Sequence, residues 1–377
     1  MTPSSWDRLP CTRRALETGL DEGLHLGAQL SVSRRGETVG DAALGENRPG
    51  EPLRPDHLML WLSSTKPVAA VAVAQLWERG LLELDDPVAR HIPEFAAEGK
   101  GGITLRHLLT HTAGIRMLDT GWPTASWEEI VARIAARKPE PHWVPGQKAG
   151  YHLASSWFLL GEVVRRLSGL PFDRYVRERI FLPLGMDDCW IGMPAERYRE
   201  YAAAGRLGFL YNTEGAPPRR HSWTDENRLV AVHPGGNGYG PVSQLARFYR
   251  MLLERGSLNG TRVLSAQAVE ALTARHRVGL VDQTFKHELD WGLGFILDSK
   301  RHGVETVPYA YGRLCSWRTF GHSGYRSSTA FGDPEHGLAV ALVMNGTPSE
   351  ADHERRIRSV LDAVYEDLGL AAPPGET

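Results

Sequence analysis

The 377-residue chain has a net charge of −2, with 42% hydrophobic and 23% charged residues. That is the balance of a soluble globular protein, and it gives no electrostatic reason to expect nucleic acid or an anionic membrane surface as a partner. Cys11, Cys189 and Cys315 lie far apart, without disulfide-framework or zinc-type spacing.

No run approaches the roughly 18 apolar residues of a membrane span. Residues 1–8 lack the apolar core of a secretory signal, so a cytoplasmic location is expected. The length suits a single catalytic domain over 1–377, with a sheet lobe from about 1–62 and 235–377 and a helical lobe over about 63–234.

Along the chain, Ala15, Leu16, Leu20 and Leu24 predict a helix over 13–24. A hairpin follows, with strands Ala28–Ser33 and Thr38–Leu44 around a turn at Gly36. Helical patterning then dominates through 64–80, 104–111, 127–137, 155–168 and 172–179. Gly80, Pro87, Gly114, Pro145 and Pro183 punctuate these segments.

Residues 200–240 are rich in Gly, Pro and Arg and predict long loops of functional use. A helix over 242–255 follows, then strands at Trp291–Leu297, Trp317–His322, Ser327–Phe331 and Leu338–Met344. An amphipathic helix covers about 351–368, and 371–377 reads as a frayed tail. Strands at both ends with helices between them predict an α/β (α+β) fold, in which the two termini share one antiparallel sheet.

The segment Trp61-Leu62-Ser63-Ser64-Thr65-Lys66 opens one of these helices. Side chains three apart on a helix are neighbours, about 5–6 Å between Cβ atoms, so Lys66 can reach the Ser63 hydroxyl. A serine hydroxyl is a weak nucleophile until a base takes its proton, and a lysine serves only if burial keeps its amine neutral. The helix start favours developing negative charge. Pro67, however, is expected to leave the Ser63 carbonyl unpaired. Ser64 is the rival hydroxyl, but it lies only two residues from Lys66.

Two further segments are collinear with this one: Pro145-Gly146-Gln147-Lys148-Ala149-Gly150-Tyr151 and Phe320-Gly321-His322-Ser323-Gly324-Tyr325. In this order and spacing the chain resembles the penicillin-recognising serine acyl-transfer superfamily, from about residue 25 to about residue 368. Its branches include class C β-lactamases, D-alanyl-D-alanine carboxypeptidases, β-lactamase-like esterases and acyltransferases. The resemblance implies a β-lactamase/transpeptidase-like architecture, an antiparallel sheet flanked by helices with a helical lobe and the serine between them.

The resemblance also implies roles. Ser63 is the nucleophile, Lys66 its proton acceptor or the group that keeps Tyr151 poised, and Tyr151 the group that shuttles protons between nucleophile and leaving group, as a phenolate beside a lysine ammonium. The backbone N–H groups of Ser63 and Tyr325 form the oxyanion hole. His322, Ser323 and Gly324 line the substrate cleft, the glycine allowing close approach. Two departures stand out. The family's Tyr-x-Asn reads Tyr151-His152-Leu153, with His152 as the candidate polar replacement, and Lys-Thr-Gly reads His322-Ser323-Gly324.

Other residues carry less. His107 and His111 have the spacing of a zinc pair but no glutamate between them and no evident third ligand, so neither metal nor cofactor is expected. The glycines at 235, 236, 238 and 240 lack the Lys-Ser/Thr of a phosphate loop and suggest a flexible or positive-φ backbone by the cleft. Trp223, Trp291 and Trp317 are candidates for the acyl pocket or for core packing.

The expected function is acyl transfer through an acyl-Ser63 intermediate from an ester or amide. The acyl group passes to a bound alcohol or amine (an ATP-independent transacylase, as in natural-product pathways) or to water (an esterase or amidase). The partners are therefore a small-molecule donor and an acceptor. The alternatives are β-lactamase or carboxypeptidase activity, or an inactive ligand-binding protein.

Overall fold

The computed structural model describes residues 6–370; the expected tail at 371–377 lies outside them. The chain opens with helix α1 (Pro10–Asp21), which starts three residues before the expected position because proline is at home in a first turn. Strands β1 (Gly27–Arg34) and β2 (Glu37–Arg48) then form the predicted hairpin, with a bulge between Val32 and Ser33. The short β3 (Glu51–Pro52) is the edge strand beside β2.

The sheet is completed from the other end of the chain by β7 (Ile296–Leu297), β8 (Phe320–Ser323), β9 (Ser328–Asp333) and β10 (Leu338–Met344). Its seven strands run β7-β8-β9-β10-β1-β2-β3, and every pairing is antiparallel. β1 meets β10 in register, Ala28 opposite Met344 and Arg34 opposite Leu338. The expected shared sheet is therefore present.

Covering helices explain why β10 is apolar throughout. Leu338, Val340, Leu342 and Met344 face one core, together with Leu16 of α1 and Ile357, Val360, Leu361 and Val364 of the terminal helix α6 (Glu350–Asp367). Ala339, Ala341 and Val343 face the other core, where helix α5 (Val242–Leu253) packs. Small residues on that face let α5 approach closely, and a strand buried on both faces reads as an unbroken apolar run.

The middle of the chain supplies α2 (Lys66–Trp77), α3 (Trp127–Ala136) and α4 (Ser155–Ser168). α2 is buried from Lys66 to Leu76. An all-round apolar helix of this kind belongs in a core rather than on a surface. A small antiparallel sheet joins β4 (Met59–Leu62), β6 (Gly238–Gly240) and β5 (Trp190–Ile191) in the order β4-β6-β5. It carries the chain into Ser63.

Two expectations needed correction. The strand expected over Trp291–Leu297 survives only as β7, because Gly294 adopts φ +82° and breaks it. Residues 200–240 are more ordered than expected, with short strands at Tyr211–Asn212 and Arg219–Arg220 and a short helix at Glu226–Val230. Among the described residues, no helix is long and apolar enough to cross a membrane.

Candidate active site

Ser63 begins a single 3₁₀ turn, Ser63–Thr65, rather than the α-helix itself. The residue before it, Leu62, has φ +51°, a sparsely populated conformation for a branched side chain. The turn resolves the difficulty posed by Pro67. The Lys66 N–H bonds the Ser63 carbonyl, and the proline falls within the first two positions of α2, where a missing N–H costs little.

Side chains pin this turn to its neighbours. The Ser328 hydroxyl donates to the Trp61 carbonyl at 2.5 Å, and Ser64 Oγ donates to the His322 carbonyl at 3.0 Å. Thr65 Oγ1 donates to the Leu62 carbonyl at 2.6 Å and accepts from the Gly238 N–H at 2.8 Å. Ser64 is thus buried and occupied, whereas Ser63 opens onto a cavity.

Lys66 Nζ lies 3.0 Å from Ser63 Oγ and donates to the Gly235 carbonyl at 2.7 Å. The amine is fully buried over the rings of Tyr151 and Trp157, 5.0 and 5.6 Å from their centroids. Burial pulls its pKa well below the ordinary lysine value. Burial thus shifts the balance toward the neutral amine that the chemistry requires.

Tyr151 is also buried, and its hydroxyl hydrogen-bonds the Ser63 side chain. Burial drives the phenol's pKa upward and this hydrogen bond only partly opposes it. Burial thus works against both the phenolate and the ammonium that were expected side by side. Behind Tyr151, Asp282 accepts from the Tyr151 N–H at 3.1 Å and meets Arg277 at 3.1 Å, both side chains buried.

The third segment divides by residue. His322 is buried, its Nδ1 2.8 Å from the Ser323 carbonyl and its ring 6.0 Å from that of Tyr151. Burial, then the nearby Lys66, hold its pKa well below the usual histidine value. The Ser323 hydroxyl donates to Thr329 at 3.0 Å.

Gly324 corrects its expected role. A Cβ there would lie 2.3 Å from Ser328 Oγ, 2.6 Å from the Trp61 carbonyl and 2.7 Å from Leu62 Cβ, so the missing side chain makes room for β4 and β9. Tyr325 follows in the turn that joins β8 to β9, closed by Gly324 N–H to Ser328 carbonyl at 2.8 Å, and it lines the cavity beside Ser63.

His152 is a second correction. It is buried, its Nε2 accepts the Ile115 N–H at 3.0 Å, and its backbone N–H donates to His111 Nδ1 at 2.9 Å. Burial lowers its pKa to about 3. This histidine braces backbone, while Leu153 (54% exposed) faces the cavity at the place expected for asparagine.

The possible zinc pair separates as well. His107 completes a capping box with Thr104, and His111 is spent on the His152 backbone.

The cavity beside Ser63 measures about 470 Å³. Leu60, Leu62, Trp122, Leu153, Trp223 and Tyr325 give it an apolar wall. Asn212, Glu214, His221, Arg228, His233 and Asn237 come from the segment expected to be functional. Of the three candidate tryptophans only Trp223 lies on this wall; Trp291 is core, and Trp317 is 41% exposed beside a different hollow.

The glycine cluster marks Gly235 in the sequence, but not its carbonyl's part as acceptor for the Lys66 amine. Gly235, Gly236, Gly238 and Gly240 show no positive φ; they permit close approach instead. A Cβ on Gly235 would lie 2.6 Å from the Trp157 ring. Asp282 gave a fainter signal in Asp282-x-Thr284, where the carboxylate accepts the Thr284 N–H at 2.8 Å.

With this geometry in place, comparison with known proteins is decisive. The family model described as Beta-lactamase matches residues 12–365. The chain belongs to the beta-lactamase family. It is 27% identical to the esterase/beta-lactamase LipL of Mycobacterium tuberculosis, over 90% of this chain and 81% of that protein. It is 32% identical to penicillin-binding protein 4 of Amycolatopsis lactamdurans, over 83% and 79% respectively.

Among solved structures, a penicillin-binding protein homologue from Caulobacter crescentus superposes with TM-score 0.78 at 29% identity, covering 97% of this chain and 99% of that one. A family VIII carboxylesterase does so with TM-score 0.78 at 27% identity, covering 96% and 98%. The fold of this beta-lactamase-family chain is therefore that of serine hydrolases.

Proposed function

We propose that the chain is a serine esterase that takes an acyl group from a carboxylic ester onto Ser63 and passes it to water or to a bound alcohol. The observation that carries this reading is the Lys66 amine 3.0 Å from Ser63 Oγ, fully buried where desolvation lowers its pKa. An ester fits better than a β-lactam, because Leu153 presents hydrocarbon where an amide-binding asparagine is expected. Esterases among the relatives agree with this choice.

In the first step the neutral Lys66 amine takes the Ser63 proton as Oγ attacks the ester carbonyl. The Ser63 and Tyr325 N–H groups receive the oxyanion; losing one such donor costs about 10²–10³ in rate. Tyr151 then gives its proton to the departing alkoxide and recovers one from the Lys66 ammonium. The carbon–oxygen bond to the alcohol breaks, acyl-Ser63 remains, and the amine is neutral again. Deacylation runs the same transfers in reverse, with water or a second alcohol as nucleophile.

Mixing the protein with 4-nitrophenyl butyrate and recording intact mass tests this reading. The expected result is a butyryl adduct on Ser63, absent from Ser63→Ala. Absence of both adduct and nitrophenol release sinks it. Adding glycerol or a primary alcohol then separates the two acceptors: unchanged adduct decay marks a hydrolase, and faster decay with a new ester marks a transacylase.

A further inference from the structure

The cavity wall holds two arginines in opposite situations. Arg326 is committed: Glu214 and Glu350 both pair with it, the latter at 2.8 Å, and its guanidinium lies 4.8 Å from the Tyr325 ring centroid. Arg228 is not. Its guanidinium rests 5.3 Å from the Trp122 ring centroid, and among the described residues no carboxylate lies within ion-pair distance of it.

The position of Arg228 is nonetheless fixed. It sits in the short helix Glu226–Val230, and its carbonyl accepts the Asn237 side-chain amide at 3.1 Å, while that amide also bonds the Ala231 carbonyl at 2.5 Å. Glu214, the acidic residue on the wall, is spent on Arg326. Burial keeps His221 and His233 on the same wall below the usual histidine pKa. One uncompensated positive charge thus faces a mostly apolar hollow.

We infer that Arg228 is a specificity-determining residue that binds a carboxylate on the acyl portion of the substrate. A guanidinium matches a carboxylate with two parallel hydrogen bonds, and apolar walls strengthen the pairing by excluding water. The acyl side follows from placement: Ser63 and Tyr325 line the cavity, whereas Tyr151, the donor to the leaving group, does not. The substrate class is therefore a monoester of a dicarboxylic acid, its free carboxylate reaching Arg228 while its ester carbonyl meets Ser63. This inference rests on the esterase reading and narrows it.

The test compares 4-nitrophenyl hydrogen glutarate with 4-nitrophenyl methyl glutarate, identical but for the charge. Wild-type protein is expected to favour the anionic ester in kcat/KM by on the order of 10–100-fold, the range for hydrogen bonds to a charged group. That ratio should collapse toward one in Arg228→Gln, survive in part in Arg228→Lys, and shrink with added salt.

A wild-type ratio near one, or a ratio that Arg228→Gln leaves intact, overturns the inference while leaving the esterase reading standing. Failure of wild-type protein to turn over either ester overturns both. Because the wild-type ratio is itself decisive, a variant that fails to fold does not rescue the inference.

Discussion

The Gly235 carbonyl accepts a hydrogen bond at 2.7 Å from the same Lys66 Nζ that lies 3.0 Å from Ser63 Oγ. A neutral amine has two hydrogens and one lone pair, so a carbonyl that holds one hydrogen leaves the lone pair free to take the serine proton. An ammonium would need three acceptors in a site built mostly of rings and hydrocarbon. The surroundings therefore favour the neutral amine over the charged one.

Replacing Lys66 with arginine removes the base without removing the charge-bearing chain, since a guanidinium stays protonated throughout the accessible pH range. Lys66→Arg is expected to lower the rate of acyl-Ser63 formation by about 10³ or more, within the range for general bases. Stopped-flow release of nitrophenol measures it. Turnover within tenfold of wild type would remove Lys66 from the mechanism.

The depressed pKa of Lys66 fixes the sign of the pH profile. Only the deprotonated amine accepts the Ser63 proton, so kcat/KM rises with pH and levels off once the amine is neutral. The midpoint should lie well below the ordinary lysine value, and below it the rate should fall about tenfold per pH unit. A limb centred on the ordinary lysine value would show that burial does not tune the base.

At Gly324 the space for a methyl group is already taken by the Trp61 carbonyl and Leu62 Cβ. Gly324→Ala pushes β4 and the Tyr325 turn apart and should cost about 1–3 kcal/mol of stability, as overpacking does. It should cost about 10² in kcat as well, because a displacement of about 1 Å is enough to spoil catalytic alignment. Thermal melts and steady-state kinetics on one sample read both. A wild-type kcat would mean the turn tolerates the displacement.

Asp282 supports Tyr151 from behind while balancing the buried Arg277. Asp282→Ala leaves that guanidinium uncompensated in the interior and is expected to destabilise the fold by about 3–5 kcal/mol. Chemical denaturation measures it. A loss below about 1 kcal/mol would be the signature of a surface ion pair instead.

How much of this was legible in the sequence follows from how local each feature is. β10 and α4 were read with their observed ends, because an unbroken apolar run and a strong helical period carry their own signals. Ser63, Lys66 and Tyr151 were legible from spacing and resemblance, and the fold brings them together.

The misreadings were matters of orientation. Whether His152 or Leu153 faces the cavity depends on an Ile115 amide 37 residues away in sequence. Gly324 looked like a gap for substrate because its occupant comes from the distant Trp61. The free state of Arg228 was invisible, since a charge is left over only after every other charge has found its partner in three dimensions.

The β1–β10 seam has a consequence for biosynthesis. Residues 27–34 leave the ribosome long before their partners at 338–344. Throughout elongation the hairpin presents a bare, apolar edge, the kind of surface that recruits stray strands or chaperones. The Tyr325 turn is likewise translated long after Ser63 and Lys66, so the nascent chain holds its serine and lysine well before the cavity beside them can close.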